Sequence, residues 1–462
     1  MPFSSHHDDA PARPDDGVGA GPGSPTQLER RLTLGDATVI GVGSMLGAGV
    51  FVAFGPATAH AGEWLLAAVA LAGVIAWCNA TSTAQLAARY PSSGGTYVYA
   101  TERLGAWAGF TAGWCFVSGK TASAAAMAMT VGLYAAQAAA AWIPGLDHGT
   151  WARAVAVVAI LGVTAVNLGG VTKTAAMTRW LVALVLVVLF AVALALVLGL
   201  AGSGPFPFAP EAGTAPEPSP AGVASAAGLM FFAFAGYARI ATMGEEVKDP
   251  QRSIPRAILV GLAFVLVLYL LLAGLLLATL GPAQLAATDT ALLSALEASL
   301  GASGVPESAR SVAAAVVVAG SAAGALGALL ALIAGISRTA LAMARRRDLP
   351  SYLTAVSSRS VPWASELTTA VLVLALILLT DVHTVIAFSS FGVLLYYALA
   401  NLSALTMTQR PRWAPRAVNA LGLLGCLVLA FALPWTAVAT MLAVIAVGLL
   451  GRIVFRAIIR AS

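Results

Sequence analysis

The chain has 462 residues, of which 59% are hydrophobic and only 10% charged, with a formal net charge of +5 and a mean hydropathy of +0.87. No water-soluble fold hides so much apolar side chain behind so few charges, so the composition excludes a soluble domain and points to a polytopic membrane protein. The positive charges are spread over short loops rather than gathered in one patch, which argues against nucleic acid as a partner.

Residues 1–34 are polar and rich in Pro, Gly, Asp and His, with no apolar core segment. They read as a disordered cytoplasmic tail and not as a signal peptide. His6-His7-Asp8-Asp9 has metal-binding side chains, but a solvated tail explains it more simply, and no metal site is assigned. Twelve segments then approach the roughly 20 apolar residues that a spanning helix needs. They lie near 35–60, 64–88, 96–140 (one long helix), 151–169, 177–201, 222–247, 256–280, 311–343, 365–380, 384–408, 416–433 and 435–458. A short loop helix is expected over 284–300, and the Pro- and Ala-rich stretch 202–220 reads as an extended loop. Cys78, Cys115 and Cys426 all fall inside apolar runs without disulfide or metal spacing, so they read as small buried hydrophobes.

Loop cations set the orientation. With the N-terminus in the cytoplasm, almost all loop Lys and Arg, from Arg30 and Arg31 through Lys173 and Arg345-Arg346-Arg347 to Arg460, fall inside. Only Arg153 and Arg310 fall outside. Both termini are then cytoplasmic, and a multi-pass plasma-membrane protein is expected. Spans one to five with the following outer loop make a block over 35–220. Spans six to ten make a second block over 221–410, and spans eleven and twelve, in 411–462, are accessory. Five is odd, so the second block enters from the opposite side, as an inverted repeat requires.

Span one and span six are interrupted at their centres. The first reads Gly43-Ser44-Met45-Leu46-Gly47-Ala48-Gly49-Val50-Phe51, the second Phe231-Phe232-Ala233-Phe234-Ala235-Gly236-Tyr237. A glycine-rich helix that unwinds in a bilayer frees N–H and C=O groups that lipid cannot satisfy. Paired interruptions in two halves of one chain point to a transporter's binding site. Half-helix N-termini suit a carboxylate and C-terminal carbonyls suit an ammonium. Two antiparallel breaks side by side can therefore hold an α-amino acid by both ends. The competing reading of Gly43-x-x-x-Gly47 is plain helix packing.

These stretches, with Tyr90-Pro91-Ser92-Ser93-Gly94-Gly95-Thr96-Tyr97-Val98-Tyr99 and Glu245-Glu246-Val247-Lys248-Asp249-Pro250 through Ala257, resemble the amino acid–polyamine–organocation transporter superfamily. The resemblance covers roughly 30–460. It implies an all-α membrane protein of twelve transmembrane helices in the LeuT-type five-plus-five fold, with helices 1 and 6 broken. It also implies alternating-access transport of amino acids or related amines, with no cofactor. By the same resemblance the substrate carboxylate falls on the backbone of Ala48 and Gly49, near Met45 and Gly47. The amino group falls on the carbonyls of Phe232 and Ala235 beside Gly236, and Phe232 caps the occluded substrate.

The chain departs from the family pattern in its coupling devices. Some members carry a fifth-span Lys that serves proton coupling; that position is near Val185, and no Lys occurs over 180–200. Sodium-coupled members use eighth-span hydroxyls, yet Ala322 through Ile336 has no Ser or Thr. Ala238 stands where many members have an acid. Instead Lys120 and Arg239 lie within predicted spans, where a charge costs at least about 2.5 kcal/mol and should face a cavity. Lys120 is expected to take over the missing cation's role in proton coupling, and Arg239 to be a fixed charge for substrate or gate. Glu63, Asp289, Glu297, Asp381, Glu245, Glu246 and Glu366 are all expected at span ends or in loops. With no core carboxylate to receive a cationic side chain, a neutral or acidic amino acid fits better than a cationic one. Glu245-Glu246 with Lys248, Arg252 and Arg256 is expected to form an inner-end ion-pair network. A channel would need a filter motif, an enzyme a cluster of catalytic groups, and an ATPase a phosphate-binding loop; none occurs. An exchanger or facilitator without ion coupling is the alternative to a coupled transporter.

Overall fold

The computed structural model describes residues 32–90, 94–140, 143, 145, 147–170, 175–202, 217–241, 243, 246–411 and 413–461. The tail up to residue 31, most of the loop at 202–220, Pro91-Ser92-Ser93, Lys173, Glu245 and Arg412 lie outside the described residues. All regular structure among the described residues is helical, apart from one isolated bridge between Leu32 and Val247.

Helix α1 (Leu34–Met45) starts at Thr33, whose hydroxyl accepts from the Asp36 N–H while the Asp36 carboxylate accepts from the Thr33 N–H. That reciprocal box satisfies N–H groups the first turn cannot. Residues 46–48 are not helical, and the chain resumes as α2 (Gly49–Val52) and α3 (Phe54–Ala61). Helix α4 (Leu65–Arg89) follows. The single helix expected over 96–140 is two helices, α5 (Gly95–Leu104) and α6 (Ala106–Ala140). Gly105 divides them at φ +96°, a left-handed conformation that ends a helix at small cost only for glycine.

Helices α7 (His148–Leu168) and α8 (Ala175–Gly202) match their predicted spans. The sixth span is α9 (Pro220–Phe234), a 3-10 turn at Ala235–Tyr237 and α10 (Ala238–Ala241). Helix α11 (Pro250–Ala286) bends where Gly281 takes φ +70° before Pro282, close to the predicted end at 280. The expected loop helix is α12 (Ala291–Ala302). Then come α13 (Glu307–Arg345), α14 (Trp363–Leu379), α15 (Val382–Leu405), α16 (Arg416–Ala432) and α17 (Trp435–Ala461), the last two parted at Pro434 as expected.

Nine helical stretches among the described residues are long and apolar enough to cross a bilayer, and α12, α14 and α16 are shorter apolar helices. Helix α8 shows the lipid-facing side: Val187, Leu194 and Leu198 are exposed, while Val185, Leu189 and Leu196 of the same helix are buried. The chain is thus a multi-pass membrane protein. Helix α6 packs on α15, α13 and α7 and forms the centre of the bundle.

Two buried polar assemblies pin helices together. In the first, Asn401 donates to Asn79 (2.6 Å), Ser82 donates to Asn401 (2.5 Å), Asn419 donates to Ser82 (2.6 Å) and Arg410 donates to Asn419 (2.8 Å). This chain joins α4, α15 and α16. In the second, Asp348 in the α13–α14 connection accepts from Arg452 of α17 (2.7 Å), Arg456 (3.3 Å) and the Tyr97 hydroxyl of α5 (3.0 Å). The Arg452 guanidinium, only 2% exposed, lies 4.5 Å from the Trp107 ring centre and 4.7 Å from that of Phe110.

Losing one partner of a buried ion pair leaves an uncompensated charge, at a cost of about 3–5 kcal/mol. Asp348→Ala should therefore lower the melting temperature of the detergent-solubilised protein far more than Tyr97→Phe, which removes one neutral donor worth about 1 kcal/mol. Equal melting temperatures for the two variants would contradict the clamp.

Candidate functional site

The two interrupted helices meet at their breaks. A Cβ added to Gly49 would lie 2.4 Å from the Ala233 Cα, and one added to Gly236 would lie 2.2 Å from the Ser44 carbonyl oxygen. Only glycine permits backbones so close. Gly43 plays a different part, because its added Cβ would strike Val182 of α8. Helix packing and close approach at the breaks thus divide between neighbouring glycines of one motif.

Hydroxyl groups satisfy the carbonyls freed at the breaks. The Tyr269 hydroxyl on α11 lies 2.7 Å from the Met45 oxygen and 3.3 Å from the Ala233 oxygen. With a single proton it can donate fully to only one of them at a time. Tyr134 of α6 donates to Phe51 (2.8 Å). The Ala235 oxygen receives both the Tyr397 hydroxyl (3.3 Å) and the Lys120 ammonium (3.3 Å). On the other side of the site, the N–H groups of Gly47 and Ala48 make no backbone hydrogen bond among the described residues.

A cavity of about 700 Å³ opens at this meeting point. Met45, Gly47, Ala48, Gly49, Phe232, Ala235, Gly236, Lys120 and Arg239 all line it. These nine candidate substrate-binding, coupling and gating residues are therefore on one surface. Lys120 is the buried cation of the lining, at 8% exposure, while Arg338, Arg345 and Arg346 line the cavity and are exposed. Glu246 also lines the cavity.

A smaller space of about 150 Å³ lies beside it, lined by Val182 and Val185 of α8, Gly324 and Gly327 of α13, and Arg239. The charged residues that share a cavity with Val185 are thus Arg239 and Glu246. Lys120 does not line this space, and its ammonium rests on the sixth-span break instead.

Two expectations about charge are corrected. Glu366 lies at a span end as expected, in the first turn of α14, but it is 2% exposed, so the core does hold a carboxylate, and one of its oxygens is buried without a hydrogen-bond partner among the described residues. Asp348, not singled out in the sequence, is a second buried carboxylate, and Glu246 faces the cavity. No ion pair joins Glu246 to Lys248, Arg252 or Arg256 among the described residues. The segment instead pairs by backbone, Leu32 N–H to the Glu246 oxygen (3.0 Å) and Lys248 N–H to the Leu32 oxygen (2.9 Å).

Sequence reasoning missed Tyr269 and Tyr397. Each carries a phenol within an almost wholly apolar run, and a lone donor there needs an acceptor from another helix. That signal was available. The roles of Arg338 and Tyr97 in the lining carried no such signal, because both lie near helix ends where polar residues are ordinary.

A model of the amino acid permease family matches residues 36–454. An uncharacterized transporter of Mycobacterium tuberculosis (strain ATCC 25618 / H37Rv) is 50% identical over 428 residues, 92% of this chain and 91% of that protein. The vacuolar cationic amino acid transporter 4 of Arabidopsis thaliana is 30% identical over 404 residues, 84% of this chain and 64% of that protein. The branched-chain amino acid permease of Bacillus subtilis (strain 168) is 24% identical over 447 residues, 91% of this chain and 92% of that protein.

Tyr269→Phe keeps the ring and removes the donor shared by the Met45 and Ala233 carbonyls. The loss should cost about 1–3 kcal/mol, visible as a lower melting temperature with the fold retained. An unchanged melting temperature would mean that the hydroxyl does not hold the breaks.

Proposed function

Because the chain belongs to the amino acid permease family, we propose that it is a secondary transporter that moves amino acids across the plasma membrane by alternating access. The family's members are transporters and not enzymes, and the chain is a membrane transporter with a small-molecule amino acid substrate. The finer reading adds α6, α14 and α16 to the nine long apolar stretches, giving twelve spans in the LeuT-type arrangement of two inverted five-helix blocks. Helix α6 falls outside the nine because its Ala-, Gly- and Ser-rich face is built for burial in the bundle.

The observation that carries the proposal is the convergence of both breaks on one cavity lined by the nine candidate residues. In this reading the unspent N–H groups at Gly47 and Ala48 receive the substrate carboxylate, with Gly49 and Met45 close by. The carbonyl side of the sixth-span break, between Phe232 and Ala235, receives the amine, Gly236 lets the chain turn and Phe232 covers the ligand. The exposed residues of the lining, Arg338, Arg345 and Arg346, lie toward the C-terminal end of α13 and mark the solvent side of the cavity. With cytoplasmic termini that end is the inner one, and the conformation is inward-facing.

Lys120 and Arg239 are the coupling or gating residues of the proposal, and proton coupling through Lys120 is its first form. The second reading is exchange or facilitation without ion coupling. It is favoured by Val185, which leaves the smaller cavity without a lysine; the charged groups that line that space are Arg239 and Glu246.

Proteoliposome uptake of an amino acid panel, with proton and sodium gradients imposed separately, separates these readings. Saturable uptake of a neutral or acidic amino acid, with counterflow, is expected. Dependence on the proton gradient supports coupling, and indifference to both gradients supports exchange or facilitation. A protein that binds no member of the panel would end the amino acid reading.

A further inference from the structure

Lys120 holds a place that the binding scheme assigns to the ligand. Its ammonium lies 3.3 Å from the Ala235 oxygen, the carbonyl at which a substrate amine would rest. Tyr397 donates to the same oxygen at the same distance. A carbonyl has two lone pairs, so both are already engaged by the protein. Lys120 itself is unspent in the opposite sense. It is 8% exposed, lines the cavity, and has three N–H donors, of which one finds an acceptor. No carboxylate lies within ion-pair distance of it among the described residues. A buried ammonium with donors to spare and no counter-charge is costly, and a ligand anion relieves that cost.

The rest of the lining has the same sign. Arg239, Arg338, Arg345 and Arg346 join Lys120 around the cavity, against Glu246 as the carboxylate. Glu246 and Arg239 line both this cavity and the smaller space beside it. A cleft lined by one sign of charge concentrates ligands of the other. A cationic side chain would enter against this field and find Lys120 at the end of it.

We infer that Lys120 is a specificity-determining residue that pairs with the side-chain carboxylate of an acidic amino acid and rejects a cationic one. The inference rests on the amino acid reading of the site and narrows it to one substrate class. The ligand's second carboxylate takes the donors that Lys120 does not spend on Ala235, in a desolvated setting where a charge-assisted hydrogen bond is strong. The ligand's amine then rests on the Phe232 carbonyl side of the break, away from Lys120.

The test is competition by glutamate, aspartate, leucine and arginine for uptake in proteoliposomes, with wild type, Lys120→Met and Lys120→Arg compared. Wild type should favour glutamate or aspartate over arginine. Lys120→Met should reduce that preference at least about tenfold, while Lys120→Arg should keep it. A wild type that favours arginine, or a folded Lys120→Met with an unchanged ratio, would overturn the assignment. The wild-type ratio decides the matter alone if Lys120→Met does not fold. Failure of the wild type to take up any amino acid is a different result, and would refute the underlying reading instead.

Discussion

In a bilayer, a backbone carbonyl released from its helix has no water to turn to. That constraint shapes the centre of this protein. Two helices are broken at the same place, and the carbonyls set free there are met by phenols from helices that are not broken: Tyr269 from α11, Tyr134 from α6 and Tyr397 from α15. The arrangement is asymmetric. The carbonyl side is supplied by protein, while the N–H groups of Gly47 and Ala48 have no backbone partner among the described residues. The break is stable enough to persist, yet keeps unspent donors facing a cavity.

The same economy accounts for the glycines. Gly49 and Gly236 bring the two broken segments to backbone contact with Ala233 and Ser44. The Tyr269 hydroxyl can then reach Met45 and Ala233 from one position. The polar assemblies outside the site work at longer range: the Asn79–Asn401–Asn419 chain holds α4, α15 and α16, and Asp348 holds α5 and α17.

Much of this was legible in the residue string because membrane burial constrains sequence tightly. Apolar runs gave the helices, and Pro434 marked the parting of α16 from α17. The two glycine-rich interruptions named residues that line one cavity. Most of the features that escaped depend on three-dimensional approach. Gly105 is the exception: it ends a turn that carries Glu102 and Arg103, a charged last turn followed by glycine that the reading of one long apolar span passed over. Lys120 was singled out as an intramembrane cation, but its position against Ala235 follows from how α15 packs on both α6 and α9, which no local pattern encodes. Glu366 was read as peripheral and Asp348 was not singled out, because chain position near a helix end says little about depth.

The Asp348 clamp gives the last helix a mechanical standing. Helix α17 was expected to be accessory to the two five-helix blocks, and much of its surface is exposed and apolar. Yet Arg452 and Arg456 reach across to the loop below α13, and through the Tyr97 hydroxyl the same carboxylate is tied to a residue that lines the cavity. Removing α17 would therefore cut a tether that runs from the far end of the chain to the wall of the central cavity.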